Sequence, residues 1–255
     1  MPAVELSIYN PLLIGWYATA GVIFVFLFFV KAPYGRHLRS GWGPTLSARL
    51  GWLIMELVSP AAFTFFFFFN SQGTSAASLL FLLLWNVHYF NRSIIYPFRM
   101  RSGSKPLPLS VVLLAVLFNS VNGFLNGHYL KVFALNYSNA WFADPRFVAG
   151  LGLFLLGFGV NYHSDGVLRS LRRSGESGYK IPARGLFKLV SSANYLGEIT
   201  EWFGWACMTW SVAGLSFAVW TACNLVPRAW AHHQWYKKTF PDYPPNRRAI
   251  IPFVF

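Results

Sequence analysis

Residues 161–202 read NYHSDGVLRSLRRSGESGYKIPARGLFKLVSSANYLGEITEW and connect two apolar segments through a basic loop. The apolar ends carry Asn161, Asp165, Asn194 and Glu198, polar groups that a bilayer penalises unless they meet something polar. With about 3.6 residues per helical turn, Asn161 and Asp165 share one helix face, and Asn194 and Glu198 share another. The sequence therefore predicts two polar helix faces that face each other around a ligand.

The loop between these faces is strongly basic. Its positive residues are Arg169, Arg172, Arg173, Lys180, Arg184 and Lys188. Arg172 also continues the helix face of Asn161 and Asp165, at position i+11 from Asn161. Arginine and lysine bind phosphate groups through charge-assisted hydrogen bonds, so a polyanionic ligand is expected at this depth.

The composition is that of an integral membrane protein. The 255 residues are 55% hydrophobic and only 11% charged, whereas charged residues make up about a quarter of a soluble domain. A net charge of +13 would indicate nucleic acid binding in a soluble chain. Here the positive residues cluster between apolar runs, so membrane topology and an anionic ligand explain them better, and no nucleic acid partner is expected.

Apolar runs predict seven transmembrane helices in one all-α domain. A span needs about 20 apolar residues to cross the hydrocarbon core. Residues 189–227 contain no lysine or arginine and suit two crossings, with a tight turn near Ser211 to Gly214. The other five runs cover residues 12–30, 50–69, 76–98, 107–130 and 147–164.

The basic residues also predict an orientation. Of the 21 lysines and arginines, 18 lie in segments 31–49, 99–105 and 169–188 and in the tail from residue 228. The opposite side has only Lys131 and Arg146, and Arg92 lies within a span. Positive residues accumulate on the cytoplasmic side, so the N-terminus is expected outside and the C-terminus in the cytosol.

Two further polar residues lie inside predicted spans, Glu56 in the second and Tyr89 in the third. A tyrosine hydroxyl supported by a carboxyl group can donate a strong hydrogen bond to a carbonyl oxygen in a medium of low dielectric constant. Such a pair suits the stabilisation of an enolate. From the residues alone, a packing role for Tyr89 and a structural partner for Glu56 remain open alternatives.

The last span continues into a polar tail on which Arg228, His232 and Tyr236 recur every four residues and so share one face. This face could bind a phosphorylated cofactor, whereas His233 is expected to be structural. The chain has no G-x-G-x-x-G between a strand and a helix. Any dinucleotide would therefore bind to helix faces and cytosolic loops.

Chemistry based on metals or cysteine is not expected. The two cysteines, Cys207 and Cys223, lie in apolar runs, where a free cysteine behaves as a small hydrophobic residue. The glycines of the fifth span, Gly150, Gly152, Gly157 and Gly159, are expected to let helices approach closely.

Several motifs carry a resemblance to a known family. The opening stretch contains N-x-H-S-D, L-R-x-L-R and G-E-x-x-Y-x-I-P-x-x-G-L-F-x-x-V-S-x-A-N-x-x-G-E-x-x-E-W. The chain also contains W-x-x-x-E-L, H-Y-F-x-R, R-A-x-x-H-H-x-x-Y and Y-P-x-x-R-x-A-I-I-P-F. From about Lys31 to Phe255 the sequence resembles the steroid 5α-reductases, most nearly the type 2 enzymes, which are membrane enzymes that use NADPH.

The resemblance implies the reaction and the residues that perform it. NADPH would give a hydride to the β carbon of a 3-oxo-Δ4 steroid, while Glu56 and Tyr89 hold the 3-keto oxygen. Trp52 and Met55 would contact the substrate. The cofactor-binding half would span residues 145–255 and the substrate-side spans residues 1–130. The cofactor contacts would be Asn161, Asp165, Arg172, Asn194, Glu198, Arg228, His232 and Tyr236.

Departures from the family pattern leave the native substrate open. Met55 stands where the type 2 vertebrate enzymes have glutamine, Lys180 replaces an arginine, and the fourth span lacks their arginine. A related enoyl or sterol double-bond reductase is therefore an alternative. The tail alone also suits a methyltransferase that uses S-adenosylmethionine, and seven spans alone suit a carrier or receptor.

The expected partners are a lipophilic substrate taken from the bilayer and membrane lipid, with no obligate protein partner. The membrane would be the endoplasmic reticulum in a eukaryote or the cytoplasmic membrane in a bacterium.

Overall fold

The structure is a computed structural model that describes residues 2–69, 74–100, 105–132, 137–171 and 178–255. Helix α3 is α-helical over Ala76–Phe90, makes a π-helical turn over Asn91–Ile95 and returns to α-helix over Tyr96–Arg99. Short 3-10 turns lie at Gly35–His37, Asn139–Ala143 and Gly185–Lys188. The other long helices are α1 (Pro2–Phe29), α2 (Ala48–Phe69), α4 (Leu109–Val132), α5 (Pro145–Ser170), α6 (Ala193–Thr209) and α7 (Val212–Thr239).

The chain forms two compact units. The terminal unit consists of Met1–Lys31 together with Ala149–Phe255, and so contains α1, most of α5, α6 and α7. The central unit consists of Ala32–Val148 and contains α2, α3 and α4. A mostly helical fold agrees with the sequence prediction, and the described residues add one pair of two-residue strands.

Helix α1 packs with the C-terminal helices. The hydroxyl of Tyr17 donates a hydrogen bond to the carbonyl of Val212 at 2.9 Å, and the indole of Trp220 donates to the carbonyl of Trp16 at 2.9 Å. The rings of Trp16 and Trp220 lie 4.8 Å apart. Its position in the chain had suggested a place with the substrate-side spans, because apolar runs of similar composition carry no information about which helices pair.

Within the described residues, four helical segments are long and apolar enough to cross a membrane. They are Ile8–Phe29, Ala48–Phe69, Leu109–Val132 and Pro145–Ser170. The α-helical part of α3 has 15 residues before its π turn and α6 has 17 residues, and neither is among these four segments. Seven crossings and the orientation inferred from the basic residues therefore stay predictions.

In the terminal unit, glycines let α5 and α6 lie backbone to backbone. A methyl group at Gly157 would collide with the backbone of Glu201, and one at Gly197 would lie 2.5 Å from the backbone nitrogen of Asn161. Gly150 makes a similar approach to α6, whereas Gly152 and Gly159 face open space. Of the four glycines expected to allow close approach, the two that do so are Gly150 and Gly157. They are seven residues apart and therefore lie on the same face of α5.

The connection from α6 to α7 is as tight as the sequence predicts. Helix α6 ends at Thr209, and the next residue, Trp210, adopts the left-handed conformation with φ 43°. Ser211 then caps α7, because its hydroxyl accepts a hydrogen bond from the backbone nitrogen of Gly214 at 2.8 Å. These two adjacent helices therefore pack antiparallel through a turn of two residues.

In the central unit, α2 and α4 form the main helix pair. Gly127 lies against the backbone of Phe63, so the two helices touch without intervening side chains. The strands Thr45–Leu46 and Leu107–Pro108 pair antiparallel just ahead of these helices. The aromatic run at 63–69 divides by face: Phe63 and Phe67 are buried, whereas Phe65, Phe68 and Phe69 are exposed. The run therefore has one packed face and one outward-facing aromatic face.

Candidate active site

The two polar faces predicted from the sequence meet in the terminal unit. The side-chain amide of Asn161 donates a hydrogen bond to the carbonyl of Asn194 at 3.0 Å and lies 3.5 Å from a carboxylate oxygen of Glu198. The amide of Asn194 lies 3.4 Å from a carboxylate oxygen of Asp165. The four polar residues therefore form one cluster between α5 and α6, which we call the polar seam.

The glycine contacts explain why the polar seam forms at this position. Gly157 and Gly197 flank it and bring the two backbones close enough for short side chains to reach across. Asn161 and Asp165 are buried, whereas Asn194 and Glu198 are half-buried, so one side of the seam is accessible. Glu201 lies one turn beyond Glu198 and is fully buried.

The residues between Asn161 and Asp165 face differently. His163 is exposed and lies beside Gly185, in a groove that Leu155 and Leu156 also line. The residues of the motif N-x-H-S-D therefore lie on two faces of α5. Its asparagine and aspartate face α6, and its histidine faces the exposed groove. Only the first face belongs to the polar seam.

Helix α7 reaches the polar seam through an aromatic contact. The imidazole of His232 stacks on the ring of Tyr195 with a centroid distance of 5.5 Å and an interplanar angle of 29°. Tyr195 directly follows Asn194, so this contact links His232 to the first turn of α6. Arg228 lies one turn earlier on the same face of α7 and is half-buried. Arg172 lies outside the described residues.

Tyr236 is placed differently from the other predicted contacts. Its side chain is only 2% exposed, and its ring stacks on Tyr243 with centroids 5.3 Å apart and packs against Phe240. The ring therefore belongs to an aromatic cluster that holds the C-terminal tail against α7. A direct contact between Tyr236 and a cofactor stays a prediction.

His233 ties the tail to the start of α6, in line with the structural role expected of it. Its Nδ1 lies 2.7 Å from the hydroxyl of Ser191, which lies 2.6 Å from the hydroxyl of Tyr243. The same Ser191 hydroxyl donates to the carbonyl of Arg248 at 3.1 Å. Burial lowers the pKa of His233, and the positive charges of Lys237 and Arg248 lower it further.

Backbone hydrogen bonds complete this attachment, which we call the tail clamp (Ser191, His233, Tyr243 and Arg248). The backbone nitrogen of Ser191 donates to the carbonyl of Arg248 at 2.8 Å, and Arg248 donates to Leu189 at 2.9 Å. The guanidinium of Arg247 donates to the carbonyl of Pro182 at 2.8 Å. The clamp therefore holds the tail directly ahead of the polar seam.

The predicted substrate-side residues lie in the central unit. Glu56 is half-buried on α2, and Tyr89 is 3% exposed on α3, which packs against α2. The ring of Tyr89 lies 4.9 Å from that of His88 and 5.3 Å from that of Trp85. Both predicted residues thus lie on helices that pack together, and their direct pairing stays a prediction.

Tyr89 lies two residues before the π-helical turn of α3, which begins at Asn91. The hydroxyl of Ser93, within that turn, donates to the carbonyl of Tyr89 at 2.6 Å. Short π-helical turns inside α-helices are frequently found at functional sites. The turn is invisible in the apolar pattern of the sequence, which continues through residue 98 without interruption.

Trp52 and Met55 are placed one turn apart on α2. Met55 is buried in a cluster with Leu107 and Val112, against which Trp52 packs. The guanidinium of Arg92 lies 4.9 Å from the centre of the Trp52 ring, a cation–π contact. Arg92, which lies within a predicted span, therefore contacts an aromatic residue of the predicted substrate side.

The donor set of the terminal unit suits a dinucleotide. Asp165 and Glu198 can accept hydrogen bonds from ribose hydroxyl or carboxamide groups, and Arg228 can donate to phosphate. His232 and Tyr195 present a stacked aromatic surface beside them. Sequence reasoning missed Tyr195, Ser191 and Tyr243, because a single aromatic or hydroxyl residue carries no periodic signal.

A bundle of apolar helices with a buried polar seam defines a helical membrane protein with an internal polar site. Residues 105–255 match the family model described as 3-oxo-5-alpha-steroid 4-dehydrogenase. The chain belongs to this family.

Similar proteins come from plants and vertebrates. Steroid 5-alpha-reductase DET2 from Gossypium hirsutum is 42% identical over 259 aligned positions, which cover 99% of this chain and all of that protein. The 3-oxo-5-alpha-steroid 4-dehydrogenase 1 of Bos taurus is 44% identical over 91% of each chain. The protein of the same name from Homo sapiens is 45% identical over 88% of this chain and 87% of its own.

Proposed function

We propose that this protein is an NADPH-dependent steroid 5α-reductase that reduces the Δ4 double bond of a 3-oxo-Δ4 steroid. The observation that carries the proposal is the polar seam. Asn161, Asp165, Asn194 and Glu198 meet inside apolar helices, and burying such groups is costly without a functional reason. Membership of the family supplies the reaction type.

The polar seam and the adjacent face of α7 would hold the cofactor. Asp165 and Glu198 would accept hydrogen bonds from its hydroxyl and amide groups, while Arg228, with Arg172 from the neighbouring loop, would bind its phosphates. His232, already stacked on Tyr195, would donate from its ring nitrogen. When bound, the reduced nicotinamide supplies the hydride that the β carbon of the enone accepts.

Residues of the central unit would act on the substrate. The hydroxyl of Tyr89 would donate a hydrogen bond to the 3-keto oxygen, and Glu56 would orient that hydroxyl. As the β carbon is reduced, negative charge develops on this oxygen, and a preorganised donor in a medium of low dielectric constant stabilises it. Protonation at the α carbon, C4, by water or a site group then completes the product.

The substrate would be flat and apolar. Trp52 and Met55 offer an aromatic face and a flexible apolar side chain on the helix that carries Glu56. An apolar steroid dissolves in the bilayer, from which it would reach these residues. Met55 in place of a glutamine removes one hydrogen-bonding group, so the preferred steroid would differ from that of the type 2 vertebrate enzymes.

The proposed topology has seven crossings, with the N-terminus outside and the C-terminus in the cytosol. The number of crossings follows from the apolar runs. The orientation follows from the distribution of the basic residues. The basic loop and tail would then lie on the side where soluble NADPH is found. The membrane would be the endoplasmic reticulum in a eukaryote and the cytoplasmic membrane in a bacterium.

The proposal is tested by purifying the full chain in detergent and supplying a 3-oxo-Δ4 steroid with NADPH or NADH. We expect the 5α-dihydro product, identified by mass spectrometry against authentic standards, and faster turnover with NADPH. Copurifying nucleotides are identified in the same preparation. Bound S-adenosylmethionine, or a folded protein that reduces no 3-oxo-Δ4 steroid, would overturn the proposal.

A further inference from the structure

Helix α2 lacks one backbone hydrogen bond in the turn that follows Glu56. Pro60 lies inside this helix, and proline has no backbone N–H with which to bond the carbonyl four residues earlier. That carbonyl belongs to Glu56. The proline ring also crowds the same carbonyl, so the turn from residue 56 to residue 60 is held less firmly by the helix itself than an ordinary turn.

A buried side chain from another helix bonds to α2 at this point. The amide of Asn119 on α4 donates a hydrogen bond to the carbonyl of Met55 at 2.6 Å. Asn119 is 5% exposed and Met55 is 6% exposed, so water competes little for this bond. The carbonyl of Met55 and the N–H of Glu56 belong to one planar peptide group. Fixing the carbonyl therefore fixes the backbone of Glu56.

The contact lies at one end of a closely packed helix pair. Gly123 and Gly127 follow Asn119 at intervals of four residues and so lie on the same face of α4. A Cβ at Gly123 would lie 2.8 Å from the Cβ of Ala62 and 2.9 Å from the backbone nitrogen of Phe63. This close contact of the two backbones places α4 directly against α2, within reach of the short Asn119 side chain.

We propose that Asn119 is a positioning residue for Glu56, acting through the peptide group that joins Met55 to Glu56. This inference rests on the proposed function, because it assigns Asn119 a task only if Glu56 takes part in the reaction. Asn119 would hold the turn of α2 that Pro60 weakens. The direction of the Glu56 side chain, and with it the orientation of the Tyr89 hydroxyl, would depend on this bond.

The expected effect is on turnover rather than on cofactor binding. A displacement of about 1 Å in a group that orients a reacting centre can reduce the rate about 10²-fold. Asn119→Leu keeps the approximate volume and removes the donor. We expect this variant to lower kcat at least about tenfold, with an unchanged KM for NADPH, because the polar seam belongs to the terminal unit.

A double-mutant cycle separates positioning from a general loss of stability. The four proteins are the wild type, Asn119→Leu, Glu56→Ala and the double variant, all assayed by mass spectrometry of the 5α product. If Asn119 acts through Glu56, Asn119→Leu has little further effect once Glu56 is alanine. Asn119→Ser, whose shorter side chain cannot reach Met55, repeats the cycle if the leucine variant does not fold.

Asn126→Leu is the matched control. Asn126 is also buried on α4, at 2% exposure, but its amide bonds to the carbonyl and side-chain oxygen of Asn122 within the same helix, at 3.1 Å each. The factor by which Asn126→Leu lowers kcat should be the same whether residue 56 is glutamate or alanine, so that the effects of the two substitutions multiply. Multiplicative effects of Asn119→Leu and Glu56→Ala, or full activity of Asn119→Leu, would overturn this inference alone. Full activity of Glu56→Ala would overturn the catalytic role of Glu56 as well.

Discussion

The side-chain amide of Asn161 on α5 donates a hydrogen bond to the backbone carbonyl of Asn194 on α6 at 3.0 Å. The same amide approaches a carboxylate oxygen of Glu198 at 3.5 Å. One side chain therefore connects two residues that lie a full turn apart on the facing helix. Because both helices are apolar around this point, the Asn161 amide is a polar neighbour that the Glu198 carboxylate meets on the facing helix.

Replacing Asn161 should weaken cofactor binding. Asn161→Leu removes the link to α6 and any direct contact that the amide makes with the cofactor. Hydrogen bonds to charged groups contribute about 1.5–3 kcal/mol, so we expect the KM for NADPH to rise about tenfold or more, with a smaller change in the steroid KM. Tyr162→Leu is the control, because Tyr162 is exposed and packs outward on Phe158. Equal KM values for NADPH in Asn161→Leu and Tyr162→Leu would contradict the prediction.

Removing the hydroxyl of Tyr89 should slow the reaction without loss of the cofactor. Tyr89→Phe keeps the ring between Trp85 and His88 but removes the donor to the developing oxyanion. Loss of such a donor costs about 10²-fold in kcat or more. Tyr137→Phe is the control, since Tyr137 is another buried tyrosine of the central unit, packed on Phe81. Wild-type turnover by Tyr89→Phe would show that Tyr89 only packs.

Arg228 should affect the cofactor and not the steroid. Arg228→Ala removes a charge that would bind phosphate, and one charge-assisted contact is worth about 1.5–3 kcal/mol. We expect a higher KM for NADPH at an unchanged steroid KM, measured with both substrates varied. Lys238→Ala removes an exposed positive charge from the same helix and should change neither constant. A variant of Arg228 that weakens steroid binding alone would contradict its assignment to the cofactor site.

The tail clamp should make stability depend on pH. The pKa of His233 is lowered from its ordinary value of 6.5, first by burial and then by Lys237 and Arg248. Above pH 6.5 the imidazole is neutral in both the folded and the unfolded chain, so the clamp contributes fully. As the pH falls below 6.5, the unfolded chain binds a proton more readily, and the folded state loses stability until the lowered pKa is reached.

The measurement is the thermal midpoint in detergent between pH 8 and pH 5, with wild type compared with His233→Asn. We expect the wild type to lose stability below about pH 6.5 and the variant to lose less over the same interval. His232→Asn serves as the control, because His232 stacks on Tyr195 outside the clamp. Identical pH dependence of wild type and His233→Asn would show that another group titrates.

Two glycines of α5 should respond very differently to the same substitution. A side chain at Gly157 would collide with the backbone of Glu201, whereas Gly159 faces open space. Gly157→Leu should force α5 and α6 apart, separate Asn161 from Asn194, and abolish NADPH binding or folding. Overpacking of this kind costs about 1–3 kcal/mol or more. Gly159→Leu should remain active with a thermal midpoint near that of wild type, and inactivity of both variants would contradict this account.

Much of the polar seam was predictable from the sequence, because local spacing within a helix determines which residues share a face. Asn161 with Asp165, and Asn194 with Glu198, lie one turn apart, so each pair must project from the same side. The cost of polar groups among apolar residues then predicts that the two pairs meet. Spacing within one helix also predicts that Arg228 and His232 share one face of α7. It could not predict that the ring of Tyr236, on the same face, is buried against Tyr243 and Phe240.

The membrane segments were predicted with less detail. The apolar run over residues 76–98 indicated one uninterrupted span, whereas the structure contains a π-helical turn at Asn91–Ile95, which begins two residues after Tyr89. Hydropathy reports the composition of a segment and not its hydrogen-bond pattern. The position of α1 beside α7 was also unpredictable, since apolar helices of similar composition can pair in many arrangements.

The helical class, the helix faces and the family motifs could all be read from the sequence, because they depend on residue type and on spacing within one helix. Only the tertiary structure showed that Ser191 joins His233 and Tyr243, and that Asn119 bonds to Met55. These contacts connect residues separated by 42, 52 and 64 positions. A serine or an asparagine can bond to any donor or acceptor within reach. The partner is therefore decided by which segments the fold brings within reach, and that is a property of the folded chain.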